Sequence, residues 1–314
     1  MEVDAHFTRE ANNAATGHEA DAAMLSNLPK VLYIAGYGRS GSTTIEMLIA
    51  QGQRVFGAGE LCFLFDDYDK ERSCSCGETV DICEIWGPIV RKVTDSLGLT
   101  AAEAHQLTYQ TERHRNTADL VEYRELWRGV FTELVKLTSV QLVVDSSKTA
   151  EGRMRVVELV EIGLPALKVV ELRRDPRGVI TSVASGDNRL LSGDSEPGGG
   201  GASRIRGALG WARAAHTAAR CRKTIPKADS AGLRYEQVAD NPDITLGQTL
   251  SELGLAGFVP DEYDRTSLTA GHGLGGNRMR RSGPQSLRVP PSKQHDQITS
   301  ALAAAALIAS PKLD

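Results

Sequence analysis

Val31-Leu32-Tyr33-Ile34-Ala35-Gly36-Tyr37-Gly38-Arg39-Ser40-Gly41-Ser42-Thr43-Thr44-Ile45-Glu46-Met47-Leu48-Ile49 carries the decisive pattern of this chain. An unbroken apolar run stops at Gly36, and from Ser42 onward apolar residues recur at helical spacing, so the stretch predicts a buried strand, a glycine loop and a helix. At such a turn the backbone N–H groups and the helix dipole can cradle a phosphate. Gly36 to Thr43 matches G-x-x-x-x-G-K-[ST] at every position but the lysine, which is Ser42 here. Nucleoside triphosphatases use that lysine on the β- and γ-phosphates, so its absence argues against ATP or GTP chemistry. The cation of this loop is Arg39. A bare glycine turn is the plainer alternative, and the strand–loop–helix order weighs against it.

The pattern recurs outward from this unit. Val140 to Val144 reads as a strand ending at Asp145, and Glu151 to Glu161 as a helix closed by Gly163. Leu167 to Leu172 reads as a further strand, followed by Pro176 in the first turn of a helix. Two helices are expected between the Val31–Ala35 and Val140–Val144 strands, over Ile85–Leu97 and over Ala101–Leu137, the latter bent or broken. A long helix from Ser203 to about Thr224 and a short strand near Leu233 complete the pattern. Strands alternating with helices predict an α/β fold: a P-loop-type central parallel sheet flanked by helices on both faces. Ligands of such sheets sit beyond the carboxyl ends of the strands. The expected organisation is a polar, flexible arm over residues 1–28 and a single α/β domain over 29–314. That domain would carry an acceptor-side helical insertion at about 60–138 and a mobile glycine-rich loop at about 186–206.

Arg39-Ser40-Gly41-Ser42-Thr43 resembles the 5′-phosphosulfate loop of the sulfotransferases that use 3′-phosphoadenosine 5′-phosphosulfate (PAPS). A second motif, Leu172-Arg173-Arg174-Asp175-Pro176-Arg177-Gly178-Val179-Ile180-Thr181-Ser182, resembles the family's 3′-phosphate element, an arginine at a strand end followed eight residues later by a serine on the next helix. The spacing has a reason: Arg174 leaves the strand, Pro176 starts the helix, and Ser182 lies two turns along it, able to face the same anion. The plainer reading makes Asp175 an N-cap and Arg177 a solvated charge. Three weaker matches extend the likeness to about residues 30–285. They are Leu233-Arg234-Tyr235-Glu236 with Gln237 in place of the usual acid, the late basic loop Gly275-Gly276-Asn277-Arg278-Met279-Arg280, and Val144-Asp145-Ser146-Ser147-Lys148.

The resemblance implies transfer of a sulfuryl group from PAPS to a hydroxyl of a sugar or natural-product acceptor, with release of adenosine 3′,5′-bisphosphate (PAP) and without a metal. It assigns Arg39, Ser40, Gly41, Ser42, Thr43 and Thr44 to the 5′-phosphosulfate, and Arg174, Ser182, Tyr235, Asn277, Arg278 and Arg280 to the remainder of the nucleotide. Glu60, in Gly57-Ala58-Gly59-Glu60-Leu61, stands where several branches place a catalytic glutamate; a carboxylate that only orients Arg39 or caps a turn is an equal reading. Asp145 and His272 are the alternative bases. Lys148 either contacts the transferring sulfonate or pairs with Asp145 or Glu60. The rival functions are an atypical P-loop kinase and a nucleotide-binding module with a degenerate catalytic site.

The chain has 314 residues with a net charge of −4, a poor balance for gripping a nucleic-acid backbone. Its cations are 26 Arg against ten Lys, and arginine is the side chain suited to bidentate oxyanion contacts. Nine arginines against four acids fall in residues 173–222, and five arginines with no acid in 265–288, so the positive charge is local. No apolar run reaches the roughly 20 residues of a membrane span, and the polar start does not resemble a signal peptide, which makes the cytoplasm the expected compartment. The expected partner is a small-molecule or carbohydrate acceptor; a homodimer is compatible with the sequence. Cys74, Cys76 and Cys83 form C-x-C-x6-C, with Cys62 twelve residues upstream. This lacks the paired C-x2-4-C spacing of common zinc sites, so buried or acceptor-site thiols are expected and no metal is assigned. Cys221 is expected on a helix face in the core.

Overall fold

In the first strand, β1 (Lys30–Gly36), Val31, Tyr33 and Ala35 point to one side and Leu32 and Ile34 to the other, all five with no exposure. A strand sealed on both faces must sit inside a sheet covered by helices on each side. This computed structural model describes residues 28–114, 119–149, 154–162, 164, 166–185, 201–275, 278–288 and 295–313. The arm expected over 1–28, Leu28 apart, lies outside the described residues, as does 186–200 of the loop expected over 186–206; residues 201–206 open a helix instead.

The elements follow in chain order: β1, α1 (Ser42–Ile49), β2 (Val55–Gly59), α2 (Leu64–Asp69), α3 (Trp86–Leu97), α4 (Ala101–His114), α5 (Leu120–Thr138), β3 (Leu142–Asp145), α6 (Arg155–Glu161), β4 (Leu167–Arg173), α7 (Pro176–Ala184), α8 (Gly201–Arg222), β5 (Ser230–Arg234), α9 (Tyr235–Asp240), α10 (Pro242–Glu252) and α11 (Gln297–Ile308). The five strands are all parallel, in the order β2-β3-β1-β4-β5. This is the P-loop-type α/β fold that the repeated strand–loop–helix units predict. One face packs against α3 to α6 through Trp86, Trp127, Phe131 and Leu159, and the other against α1, α9 and α10 through Ile45, Leu48, Val238 and Leu246. Each fully buried aliphatic side chain contributes about 1.5–3 kcal/mol.

Several boundaries move. The second predicted strand begins at Leu142, because Gln141 and Leu142 donate their N–H groups to the Arg54 carbonyl as the chain enters the sheet. The helix after it begins at Arg155, and residues 151–153 lie outside the described set. The Ala101–Leu137 stretch is described as α4 and α5, and residues 115–118 between them lie outside the described set. Strand β2 and helices α2, α9, α10 and α11 have no counterpart in the sequence reading. β2 escapes detection because its Gly57 and Gly59 look like turn residues, yet both serve close approach. A Cβ on Gly57 would stand 3.1 Å from Glu46 Oε1, and one on Gly59 2.2 Å from the backbone of Leu274. α11 takes up most of the apolar run Ala301–Ala309, with Ala309 as its C-cap, and lays Ala303 and Ala306 against α7 and α8. No described helix is long and apolar enough to cross a membrane.

Candidate active site

All five strands point their carboxyl ends at one edge, and each delivers a candidate residue there: Glu60 after β2, Lys148 after β3, the Tyr37–Ser42 loop after β1, Arg174 after β4 and Tyr235 after β5. Gly36 ends β1 at φ 145, and a Cβ there would fall 2.5 Å from the Leu172 carbonyl oxygen, so glycine lets β4 come alongside. The loop then turns on Arg39, which takes the left-handed φ of 68, unusual for a residue with a side chain. Gly41 at φ 93 caps α1 with no side-chain cap, and no acid lies in the first turn. The N–H groups of that turn are therefore left for an external acceptor. Ser40 is 1% exposed, and its Oγ has no hydrogen-bond partner among the described residues. Ser42, Thr43 and Thr44 are buried beside it.

Arg174 comes off the end of β4 and donates from Nη1 to the Arg39 carbonyl at 3.1 Å. Its guanidinium carbon sits 5.0 Å from the centre of the Tyr235 ring, and its own carbonyl accepts from Trp211 Nε1 at 3.1 Å. Tyr235 closes the group: its ring presses on Gly41, and its hydroxyl donates to the Arg288 carbonyl at 3.0 Å. Burial pushes the Tyr235 phenol up, which keeps it neutral. Asp175 caps α7 by accepting from the Arg177 N–H at 2.8 Å and also binds the exposed Arg177 guanidinium, as the plainer reading of Arg-Asp-Pro-Arg had it. Ser182 lies two turns along α7, half-buried. Substituting Gly41→Ala combines a left-handed backbone with a Cβ 2.2 Å from the Tyr235 ring. We expect it to destabilise the fold by about 1–3 kcal/mol, read as a lower urea midpoint.

Glu60 and Lys148 form an ion pair at the β2 and β3 ends, each side chain 11% exposed. Lys148 also adopts a left-handed φ of 66, and its carbonyl accepts from the Tyr33 hydroxyl. The next residue, Thr149, donates its N–H to the Gly36 carbonyl at 3.0 Å, tying Lys148 to the root of the loop. Of the pairings open for Lys148, the structure has the one with Glu60. The segment Leu274–Gly275 backs this pair. Glu60 donates its N–H to Leu274 O at 2.9 Å, and a Cβ on Gly275 would stand 3.1 Å from that of Glu60.

Three expected site residues sit elsewhere. Asp145 is fully buried and held by Arg155 Nε at 2.8 Å and by the Ser147 N–H at 2.9 Å, so it has no access to an acceptor hydroxyl. Arg280 is not presented to a phosphate: its Nη1 and Nη2 grip Glu46 at 2.8 and 2.7 Å, both side chains being 1% exposed. Glu46 in turn accepts the Gly59 N–H at 2.8 Å, so this pair holds β2 to α1. His272 lies 3.3 Å from Cys83 rather than against the Glu60–Lys148 pair. Asn277 and the side chain of Arg278 lie outside the described residues. The sequence reading missed Asp67, whose carboxylate accepts the Gly275 N–H at 3.1 Å and which burial pushes up to about 6. No local motif marks it, because Gly275 reaches it from 208 residues away.

A parallel sheet whose strand ends gather a glycine loop, an arginine and a buried Lys–Glu pair is a P-loop-type α/β fold. The chain belongs to the sulfotransferase family, whose model matches residues 30–260. It is similar in structure to the sulfotransferase domain from the curacin biosynthetic pathway, at 17% identity and a TM-score of 0.48 over 90% of this chain and 99% of that one. It is also similar to the sulfotransferase domain from the Synechococcus PCC 7002 olefin synthase, at 19% identity and a TM-score of 0.46 over 88% and 94%. A sulfotransferase from Alicyclobacillus acidocaldarius matches at 13% identity and 0.42 over 90% and 93%. No curated protein matches the chain in sequence.

Proposed function

We propose that this sulfotransferase takes its sulfuryl group from PAPS and delivers it to a hydroxyl of a sugar or natural-product acceptor, releasing PAP. The observation that carries the donor assignment is the buried, unpartnered Ser40 Oγ inside a loop whose helix has no side-chain cap. A buried hydroxyl left without a partner costs about 1–3 kcal/mol, and a phosphosulfate in the loop supplies the missing acceptor. Arg39, Ser40, Gly41, Ser42, Thr43 and Thr44 bind the 5′ end; Arg174 and Ser182 bind the 3′-phosphate, and Tyr235 flanks the nucleotide. Bound PAPS provides a sulfuryl group on a phosphate leaving group, so the residues need only hold the oxygens, balance charge on the departing one and accept the acceptor's proton. Arg39 supplies charge at the departing oxygen, Lys148 faces the sulfonate, and Glu60 takes the proton.

Thermal unfolding tests the donor assignment. PAP at a hundred times its dissociation constant adds about 2.7 kcal/mol and is expected to raise the midpoint by about 2 °C or more, whereas ATP with magnesium leaves it unchanged. A shift with Mg-ATP and none with PAP sinks the PAPS reading in favour of a kinase. Arg174→Ala is expected to weaken PAP by about 10- to 100-fold, the value of a charge-assisted contact, and to leave adenosine 5′-phosphate nearly unaffected. Equal weakening of both nucleotides contradicts the 3′-phosphate assignment.

A further inference from the structure

Cys74, Cys76, Cys83 and His272 bring three sulfurs and one ring nitrogen within 4.8 Å of one another. Two of these spacings match a tetrahedron's edges rather than a bond. Cys83 Sγ lies 3.7 Å from Cys74 Sγ and 3.3 Å from His272 Nδ1. Ligands about 2.3 Å (sulfur) and 2.0 Å (nitrogen) from a common centre stand roughly 3.8 Å apart for a sulfur pair and 3.5 Å for sulfur and nitrogen. A disulfide would need its sulfurs at about 2.05 Å, and Cys74, Cys76 and Cys83 form none. We infer that these four side chains form a structural zinc site, Cys3His, at which the ion pins the 272–275 segment behind Glu60.

The surroundings have the parts such a site requires. Ser73 and Thr79 bridge as a short antiparallel turn, with Gly77 at φ 104 and its N–H on the Cys74 carbonyl at 3.2 Å, and this turn places Cys74 and Cys76 on one centre. Cys83 joins them through its N–H on the Thr79 carbonyl at 2.9 Å. His272 is aimed from behind. Its Nε2 faces Glu84 Oε1 at 3.5 Å, leaving Nδ1 for the metal, and its carbonyl accepts from Trp86 Nε1. A carboxylate on the far nitrogen is the usual outer partner of a metal-bound histidine. Three thiolates with one imidazole in a closed, four-ligand set favour zinc and leave no position for a substrate. The consequence reaches the active site, because Ser75 Oγ donates to Gly273 O at 2.7 Å and Leu274 bridges Gly59 beside Glu60.

The test uses the full chain, expressed in zinc-supplemented medium and purified without chelator, with metal content measured by mass spectrometry and coordination by X-ray absorption. The expected result is about one zinc per chain surviving gel filtration, with three sulfurs at about 2.3 Å and one nitrogen at about 2.0 Å. Chelation is expected to lower the unfolding temperature by several degrees, restored by zinc. Cys76→Ser, at the exposed ligand, and His272→Ala are expected to lose most of the bound zinc, whereas Cys221→Ser, outside the cluster, keeps it. A chain that is isolated without zinc and takes up none from buffered micromolar zinc overturns the inference. So does an absorption spectrum with fewer than three sulfurs, or a disulfide between Cys74 and Cys83 in the isolated protein. Because none of these readouts requires PAPS or an acceptor, failure here is separate from failure of the donor assignment.

Discussion

Arg155→Met is expected to lower unfolding stability by about 3–5 kcal/mol, seen as a fall in the urea midpoint with the slope unchanged. Arg155 has no exposure at all, and its guanidinium holds two buried carboxylates: Asp145 at 2.8 Å and Glu112. Its central carbon lies 3.8 Å from the centre of the Trp127 ring, and Tyr123 donates to Glu112 at 3.0 Å. Such a triad adds little over well-packed hydrophobic residues, but removing its one cation strands two negative charges in the core. Against a typical total of about 5–15 kcal/mol the loss is a large fraction. Adding Asp145→Asn and Glu112→Gln to Arg155→Met removes the stranded charges and is expected to recover much of it. A loss under about 1 kcal/mol for the single variant would show that the triad does not carry this part of the fold. The active site feels the change as well, since Asp145 holds Ser147 and so shapes the turn that presents Lys148.

Glu60→Gln is expected to cut turnover by about 100- to 10,000-fold, the range for a positioned general base, with PAP affinity held within about twofold. The amide keeps the carboxylate's shape and an oxygen that accepts from Lys148, so the fold and the nucleotide loop are preserved while the proton acceptor is lost. A residue that merely oriented Lys148 would tolerate this change. Unchanged turnover would move the base elsewhere, and Asp67, which accepts the Gly275 N–H behind Glu60, is then the candidate to test next.

Much of this site can be read along the chain because its parts are local. Gly36 to Thr44 and Arg174 to Ser182 each lie within one strand–loop–helix unit, where burial, glycine backbone freedom and helix spacing act over a few residues. The errors share a different cause. Arg280 looks like a phosphate ligand from its basic neighbours, yet its partner is Glu46, 234 residues away. Asp145 looks like a base at a strand end, and a cation from α6 neutralises it. C-x-C-x6-C looks incomplete as a metal motif, and the side chain that would complete the proposed set, His272, lies 189 residues beyond Cys83.

By itself, the sequence determined the parallel sheet, the glycine loop after β1 and the arginine that reaches that loop from β4. These follow from periodicity and glycine placement, which act locally and survive without knowledge of how distant segments meet. Only the tertiary structure decided which charged and sulfur side chains are spent on one another: Glu46 with Arg280, Asp145 and Glu112 with Arg155, Glu60 with Lys148, and the three cysteines with His272. A charge or thiol carries the same chemistry at any position in a chain. What it does depends on its partner and its burial, and both are set by where the folded chain crosses itself.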